Sequence, residues 1–161
     1  MNTVQKEKFL RCQEQAKEGD DYAQYALGLY YLDGDEIPKN YIEAVKWLKK
    51  SAEQGNEEAQ NYLGTCYHHG KGVEKNDEKA AEWILLSAKK GFCEAQVNLG
   101  KFYIRGVGLL KSKILGYCWL TLSLQKDCLR SAQELLDGLE KGMTFEEVNN
   151  AQQIVKEWYA K

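Results

Sequence analysis

The chain is short of the features that would put it in a membrane, on nucleic acid or in a disulfide-stapled scaffold. One proline in 161 residues, beside 43% hydrophobic content, is the wrong composition for a disordered or linker-like chain. No apolar run approaches the length that spans a bilayer, and residues 1–8 lack the apolar core of a secretory signal. The expectation is a cytoplasmic protein with no membrane partner, and export without a cleavable signal is the alternative. Neither sign of charge is in excess. Twenty-two basic and 24 acidic residues leave −2, too balanced for the footprint of a nucleic-acid binder. Five cysteines, Cys12, Cys66, Cys93, Cys118 and Cys128, are an odd number that shares no repeat position. They predict reduced thiols instead of a disulfide framework, with Cys118–Cys128 as the one conceivable bridge.

What the chain does have is a period. Ala59-Gln60-x-x-Leu63-Gly64-x-x-Tyr67-x-x-Gly70 is followed by Ala80, Trp83, Ser87, Ala88 and Gly91. Thirty-six positions earlier stand Ala23, Gln24, Leu27, Gly28, Tyr31 and Gly34, then Ala44, Trp47, Ser51, Ala52 and Gly55. Thirty-six positions later stand Ala95, Gln96, Leu99, Gly100, Tyr103 and Gly106, then Gly116, Trp119 and Ser123. A repeat of this length implies stacked units, each unable to bury its apolar face alone, instead of a domain built around one cleft.

Each unit reads as two helices. First helices are predicted over Asp21–Asp33, Glu57–His69 and Cys93–Arg105, each stopped by a glycine that takes a left-handed cap. Second helices follow Asn40, Asn76 and Ser112 as N-caps, with Glu43 expected to return a reciprocal capping bond in the first unit. Ala44, Trp47, Leu48, Ser51 and Ala52 fall at i, i+3, i+4, i+7 and i+8, one helical stripe. Before the first unit, Val4–Glu18 reads as half a repeat, with Phe9, Cys12 and Ala16 covering its apolar end. The phase slips by one residue at Ala132-Gln133. A helix to Glu140 follows, then a capping box Thr144-Phe145-Glu146-Glu147 with Met143 and Val148 as a staple. The last helix presents Val148, Ala151, Ile154, Val155 and Trp158 on one face.

The pattern Ala-Gln-x-x-Leu-Gly-x-x-Tyr-x-x-Gly, then Ala-x-x-Trp and a closing Gly, resembles the Sel-1-like repeat family, relatives of the tetratricopeptide repeats. The resemblance covers Ala23 to Asp127. It implies an all-α, right-handed α-solenoid: one domain, 1–161, with a half-repeat at 4–19, repeats at 23–58, 59–94 and 95–131, and capping helices at 132–161. Three features depart from the family pattern. Glu36 stands where Gly72 and Gly108 stand in the other units. The third unit has Leu109-Leu110-Lys111, Gly116 and the extra residue. The regular cysteine spacing of secreted relatives is absent, so their cell-wall-related hydrolase activities are not carried over.

Recurring residues are needed for packing, so binding is sought where the copies differ. Matched to the tetratricopeptide pattern, the concave face implied by the resemblance carries three rows. These are Tyr25, Leu29, Leu32 and Asp33; Asn61, Thr65, His68 and His69; and Val97, Lys101, Ile104 and Arg105. Such a groove suits an extended peptide or a partner helix, and Tyr25, Leu29, Leu32 and Ile104 have packing against neighbouring helices as their other reading.

Other motifs dissolve on inspection. Tyr31, Tyr67, Tyr103, Trp47, Trp83 and Trp119 are periodic and read as core. His68 and His69 point about 100° apart on a helix, and no fourth ligand joins them and Cys66, so no metal is assigned. Ser87-Ala88-Lys89-Lys90 resembles the Ser-x-x-Lys of penicillin-recognising enzymes but lacks the companion segments. Gly70-Lys71-Gly72 and Gly106-Val107-Gly108 are turns, since no Lys-Ser or Lys-Thr follows them. The expected function is a non-enzymatic adaptor or scaffold, monomeric, needing no cofactor and binding another protein. A toxin-neutralising partner or a secreted effector is the alternative role, and a hydrolase of the cysteine-rich Sel-1-like type ranks behind both.

Overall fold

The 36-residue pattern becomes a run of helices in a computed structural model that describes residues 3–34, 37–124 and 129–159. Among the described residues there are nine helices and no strand. They are α1 (Thr3–Glu18), α2 (Asp21–Asp33), α3 (Tyr41–Gln54), α4 (Glu57–His69), α5 (Asp77–Lys89), α6 (Cys93–Arg105), α7 (Lys113–Ser123), α8 (Leu129–Glu140) and α9 (Phe145–Tyr159). The first helices of the units occupy the spans predicted from the spacing.

Helix boundaries follow from local chemistry. α2, α4 and α6 end on Gly34, Gly70 and Gly106 with φ of 69°, 66° and 73°, a backbone open to glycine and costly for other residues. The turns then close alike: the Asn40, Asn76 and Ser112 N–H groups donate to the Tyr31, Tyr67 and Tyr103 carbonyls at 2.9, 3.0 and 2.9 Å. Side chains of the same three residues cap the next helix, accepting from Glu43, Lys79 and Leu115 N–H. The reciprocal bond expected from Glu43 does not form. The Asn40 N–H is already taken by Tyr31, and the Glu43 carboxylate turns to Lys46 at 3.2 Å. At α9 the capping box is complete, with Thr144 and Glu147 exchanging both bonds. Glu36 lies outside the described residues.

The chain divides into two compact units, Met1–Trp83 and Ile84–Lys161, with the division inside α5. In the first, α2 packs on α1 and α3, and α3 packs on α4. Phe9, Ala16, Ala23, Leu27 and Trp47 form one core there, with Cys12 against it, so α1 covers the first repeat as its spacing implies. Leu48, Ala52, Ala59, Leu63 and Cys66 belong to the next core. In the second unit α7 packs against α6, α8 and α9. Cys118, Leu120, Ala132, Leu136, Ala151 and Val155 make its core, with Met143, Val148, Ile154 and Trp158 packed against it. The last helix thus closes the second unit with the face read from its periodicity.

The invariant glutamine has a structural task. The Gln24, Gln60 and Gln96 side-chain amides donate to the Ala16, Ala52 and Ala88 carbonyls at 3.1, 3.1 and 3.2 Å. Each bond ties a first helix to the last turn of the helix before it, and the Gln24 bond gives α1 the role of a second helix. Ser51, fully buried, adds a bond of 2.7 Å to the Asp21 carbonyl.

Helix pairs approach closely at the Leu-Gly step. A Cβ at Gly28 would sit 2.7 Å from Leu48 Cγ, and one at Gly100 would sit 2.8 Å from Leu120 Cγ. Gly138, in α8, has nothing within 4 Å of such a Cβ. Two glycine-to-alanine changes are therefore expected to move stability in opposite directions. Gly28→Ala should lose about 1–3 kcal/mol to overpacking, while Gly138→Ala should gain about 0.5–1 kcal/mol from helix propensity. Denaturant melts of both variants check this.

Candidate functional site

In the first unit, α2 and α4 carry two of the three rows read from the sequence. Tyr25 and Leu32 are half-buried and pack against the α3/α4 core, Leu29 is half-buried, and Asp33 is exposed. On α4, Asn61 is buried at 7% exposure, and the half-buried Thr65 donates its hydroxyl to the Asn61 carbonyl at 3.0 Å. His69 is exposed. His68 is half-buried, and its Nδ1 lies 2.6 Å from the Asp77 carboxylate at the start of α5.

The structure adds residues that the row pattern missed. Tyr22 and Tyr62 are exposed at 63% and 36%, and both meet Tyr25, at ring-centroid distances of 5.9 and 5.7 Å. The three rings form a continuous aromatic ridge across α2 and α4. Burial first, then Tyr62 and Glu58, hold the Tyr25 phenol above its ordinary value, so it stays protonated and neutral. Beside the ridge lies a hollow of about 250 Å³, in which Leu32, Asp33, Tyr62 and Thr65 meet Lys39, Tyr41, Cys66 and Lys71. A usable signal was present: Tyr22, Tyr41 and Tyr62 are replaced by other residues 36 positions on. They lie off the one helical register in which the rows were sought.

The third row belongs to the second unit. Val97 is buried at 5% exposure within the α7–α9 core. Ile104 packs over α7, where a Cβ at Gly116 would lie 2.6 Å from its Cγ1. That contact accounts for glycine at the position held by Ala44 and Ala80 in the other copies. Lys101 is half-buried and Arg105 exposed.

Groups with chemical potential are placed as follows. Ser87 is fully buried, so the Ser-x-x-Lys match has no access to substrate. Cys66 is 2% exposed, and burial pushes its thiol up to about 11 against an opposing pull from Lys71. Such a thiol is a poor nucleophile. Cys66 and His69 do not converge, one being buried and the other exposed, and among the described residues no three His, Cys, Asp or Glu side chains could hold a metal ion. The Gly70-Lys71-Gly72 turn serves packing: a Cβ at Gly72 would run into the Tyr41 carbonyl, and Lys71 Nζ lies 5.8 Å from the Tyr41 ring centre.

The expectation of reduced thiols throughout fails at Cys93, which is disulfide-bonded, whereas Cys12, Cys66 and Cys118 are free. A free Cys118 also excludes its pairing with Cys128, which itself lies outside the described residues. Disulfide formation depends on two sulfurs meeting in space, which periodic spacing does not report. Among the described residues, no helix is long and apolar enough to cross a membrane.

The His68–Asp77 contact joins the last turn of α4 to the first turn of α5. It holds the Asp77 carboxyl below its ordinary value, the His68 bond being the largest cause and Lys75 assisting. A depressed carboxyl stabilises the fold above its unfolded pKa, and that contribution is lost as pH falls through the folded value. Asp77→Asn is expected to cost about 0.3–1 kcal/mol at neutral pH. The gap from wild type should narrow in melts taken at pH values progressively below the ordinary aspartate value.

Comparison with known proteins gives this architecture a family. The Sel1 repeat profile matches residues 21–56, 57–92 and 93–128, starting at the first residues of α2, α4 and α6. A protective antigen present in uropathogenic Escherichia coli strains, with an SLR fold in its crystal structure, is similar over 99% of this chain, at 28% identity and a TM-score of 0.89. This chain spans 34% of that protein's length. A Sel1 repeat protein from Oxalobacter formigenes is similar over 81% of this chain and 98% of its own, at 33% identity and a TM-score of 0.72. No curated protein matches the chain. With three consecutive repeats over more than half of its residues, the chain belongs to the Sel1 repeat family.

Proposed function

We propose that the chain is a non-enzymatic adaptor that binds an extended segment of another protein along the α2/α4 face of its first unit. Sel1 repeat proteins generally mediate protein–protein interaction. The observation that carries the reading to this face is the Tyr22–Tyr25–Tyr62 ridge. Rigid aromatic side chains left in contact at a surface are what binding hot spots are made of, because they bury much area at little entropic cost. Leu29 and Leu32 extend the apolar strip, and Asp33 and His69 rim it. Asn61 is buried and lies off this surface. Val97 and Ile104 are given to packing, and Lys101 and Arg105 are surface charges of the second unit.

The test is a quantitative pull-down with the wild type and a Tyr22→Ala/Tyr62→Ala variant shown by circular dichroism to keep its helix content. A partner held by the wild type and weakened at least about tenfold in the variant, the loss of one hot spot, is expected. Equal retention by both proteins overturns the assignment to this face.

A second observation bears on the setting. A disulfide at Cys93 persists in an oxidising compartment and is rare in a reducing cytoplasm. It supports the exported role, that of an effector, over the cytoplasmic ones, including the toxin-neutralising partner. The thiols left free are the buried or half-buried Cys12, Cys66 and Cys118, which packing shields from oxidation. Alkylation of protein isolated from its native compartment and denatured without reductant should label these three and spare Cys93. Labelling of Cys93 restores the cytoplasmic reading.

A further inference from the structure

The hollow beside the aromatic ridge has a chemistry of its own. Cys66, Tyr41 and Tyr62 line it, and so do Lys39 and Lys71 from two different turns. Among the described residues neither lysine makes an ion pair, although Lys46, Lys49 and Lys75 in the same unit all do. Lys39 lays its stem against Gly34, and Lys71 sits over the Tyr41 ring. The Lys39 stem and the Lys71 ammonium thus each have a fixed neighbour at the hollow.

Size narrows the occupant. About 250 Å³ falls below the roughly 300–1,000 Å³ of sites that enclose a small molecule or cofactor, and suits one side chain of a larger ligand. Charge narrows it further. Two cations and the single carboxylate of Asp33 leave a net positive lining, with the Tyr41 and Tyr62 hydroxyls beside them. A basic side chain would meet two like charges, whereas a carboxylate would gain charge-assisted hydrogen bonds.

We propose that this hollow takes an acidic side chain, aspartate or glutamate, of the bound segment, clamped between Lys39 and Lys71 while its apolar neighbours lie on the tyrosine ridge. The proposal rests on the peptide-binding reading given above and specifies the partner: a segment with an acidic residue next to aromatic or aliphatic ones. Asp33 then tunes the site against over-tight binding by placing one negative charge at its edge.

A displayed library of random 12-residue peptides, selected on the purified chain, supplies the probe. Selected peptides are expected to carry Asp or Glu beside an apolar residue. The synthetic form of the most enriched peptide should bind at least tenfold more weakly to Lys39→Gln/Lys71→Gln and severalfold more tightly to Asp33→Asn. Replacing its acidic residue by the amide should weaken binding to the wild type yet change little on the double lysine variant, the mark of a direct pair. Both lysines are exposed, so the variants are expected to keep the wild-type circular dichroism spectrum and melt. Peptides that are lost on Tyr22→Ala/Tyr62→Ala but bind the lysine variant as well as the wild type overturn the acidic clamp and leave the peptide-binding reading standing. A selection that enriches no peptide overturns both.

Discussion

One hydrogen bond repeats through this molecule, and much of its architecture depends on it: a buried glutamine amide reaching the alanine carbonyl eight residues back. It appears at Gln24, Gln60 and Gln96. The carbonyl it meets is in the last turn of a helix and also accepts the backbone N–H of the glycine three residues on, Gly19, Gly55 or Gly91. Without that carbonyl, the buried glutamine N–H2 would be left unpaired at a cost of about 1–3 kcal/mol. The bond therefore satisfies a buried amide and ties each first helix to the last turn of the helix before it.

Glycine supplies the complementary constraint. Gly28 and Gly100 let Leu48 and Leu120 come within a distance that any side chain would block, and Gly72 lets its turn lie on the backbone of α3. Departures from the repeat follow the same logic. Gly116 replaces alanine because Ile104 occupies the space a methyl group would need. Repeated residues are thus committed to packing, and the surface left for recognition is made by those that change from copy to copy.

That surface is unevenly distributed. In the first unit three tyrosines meet across α2 and α4 beside a hollow with two lysines. The corresponding α6 row of the second unit turns two of its four members inward, Val97 fully and Ile104 in part. A repeat scaffold can in this way specialise one segment for contact while another closes the array, since each unit depends mainly on its immediate neighbours for stability.

Much of this was legible in the sequence. Helix spans, glycine caps, the N-caps at Asn40, Asn76 and Ser112 and the closing face of α9 follow from spacing, because each is a property of residues a few positions apart. The period also determined the family and the all-α fold. Tertiary structure alone decided what depends on distance through space. The Asn40 N–H was claimed by a carbonyl nine residues back, which emptied the capping box; Cys93 entered a disulfide that no periodicity announced; and Tyr62 of α4 met the Tyr22–Tyr25 pair of α2 to complete one ridge. Local rules write the helices, but which unrepeated side chains share a surface is set by how those helices pack.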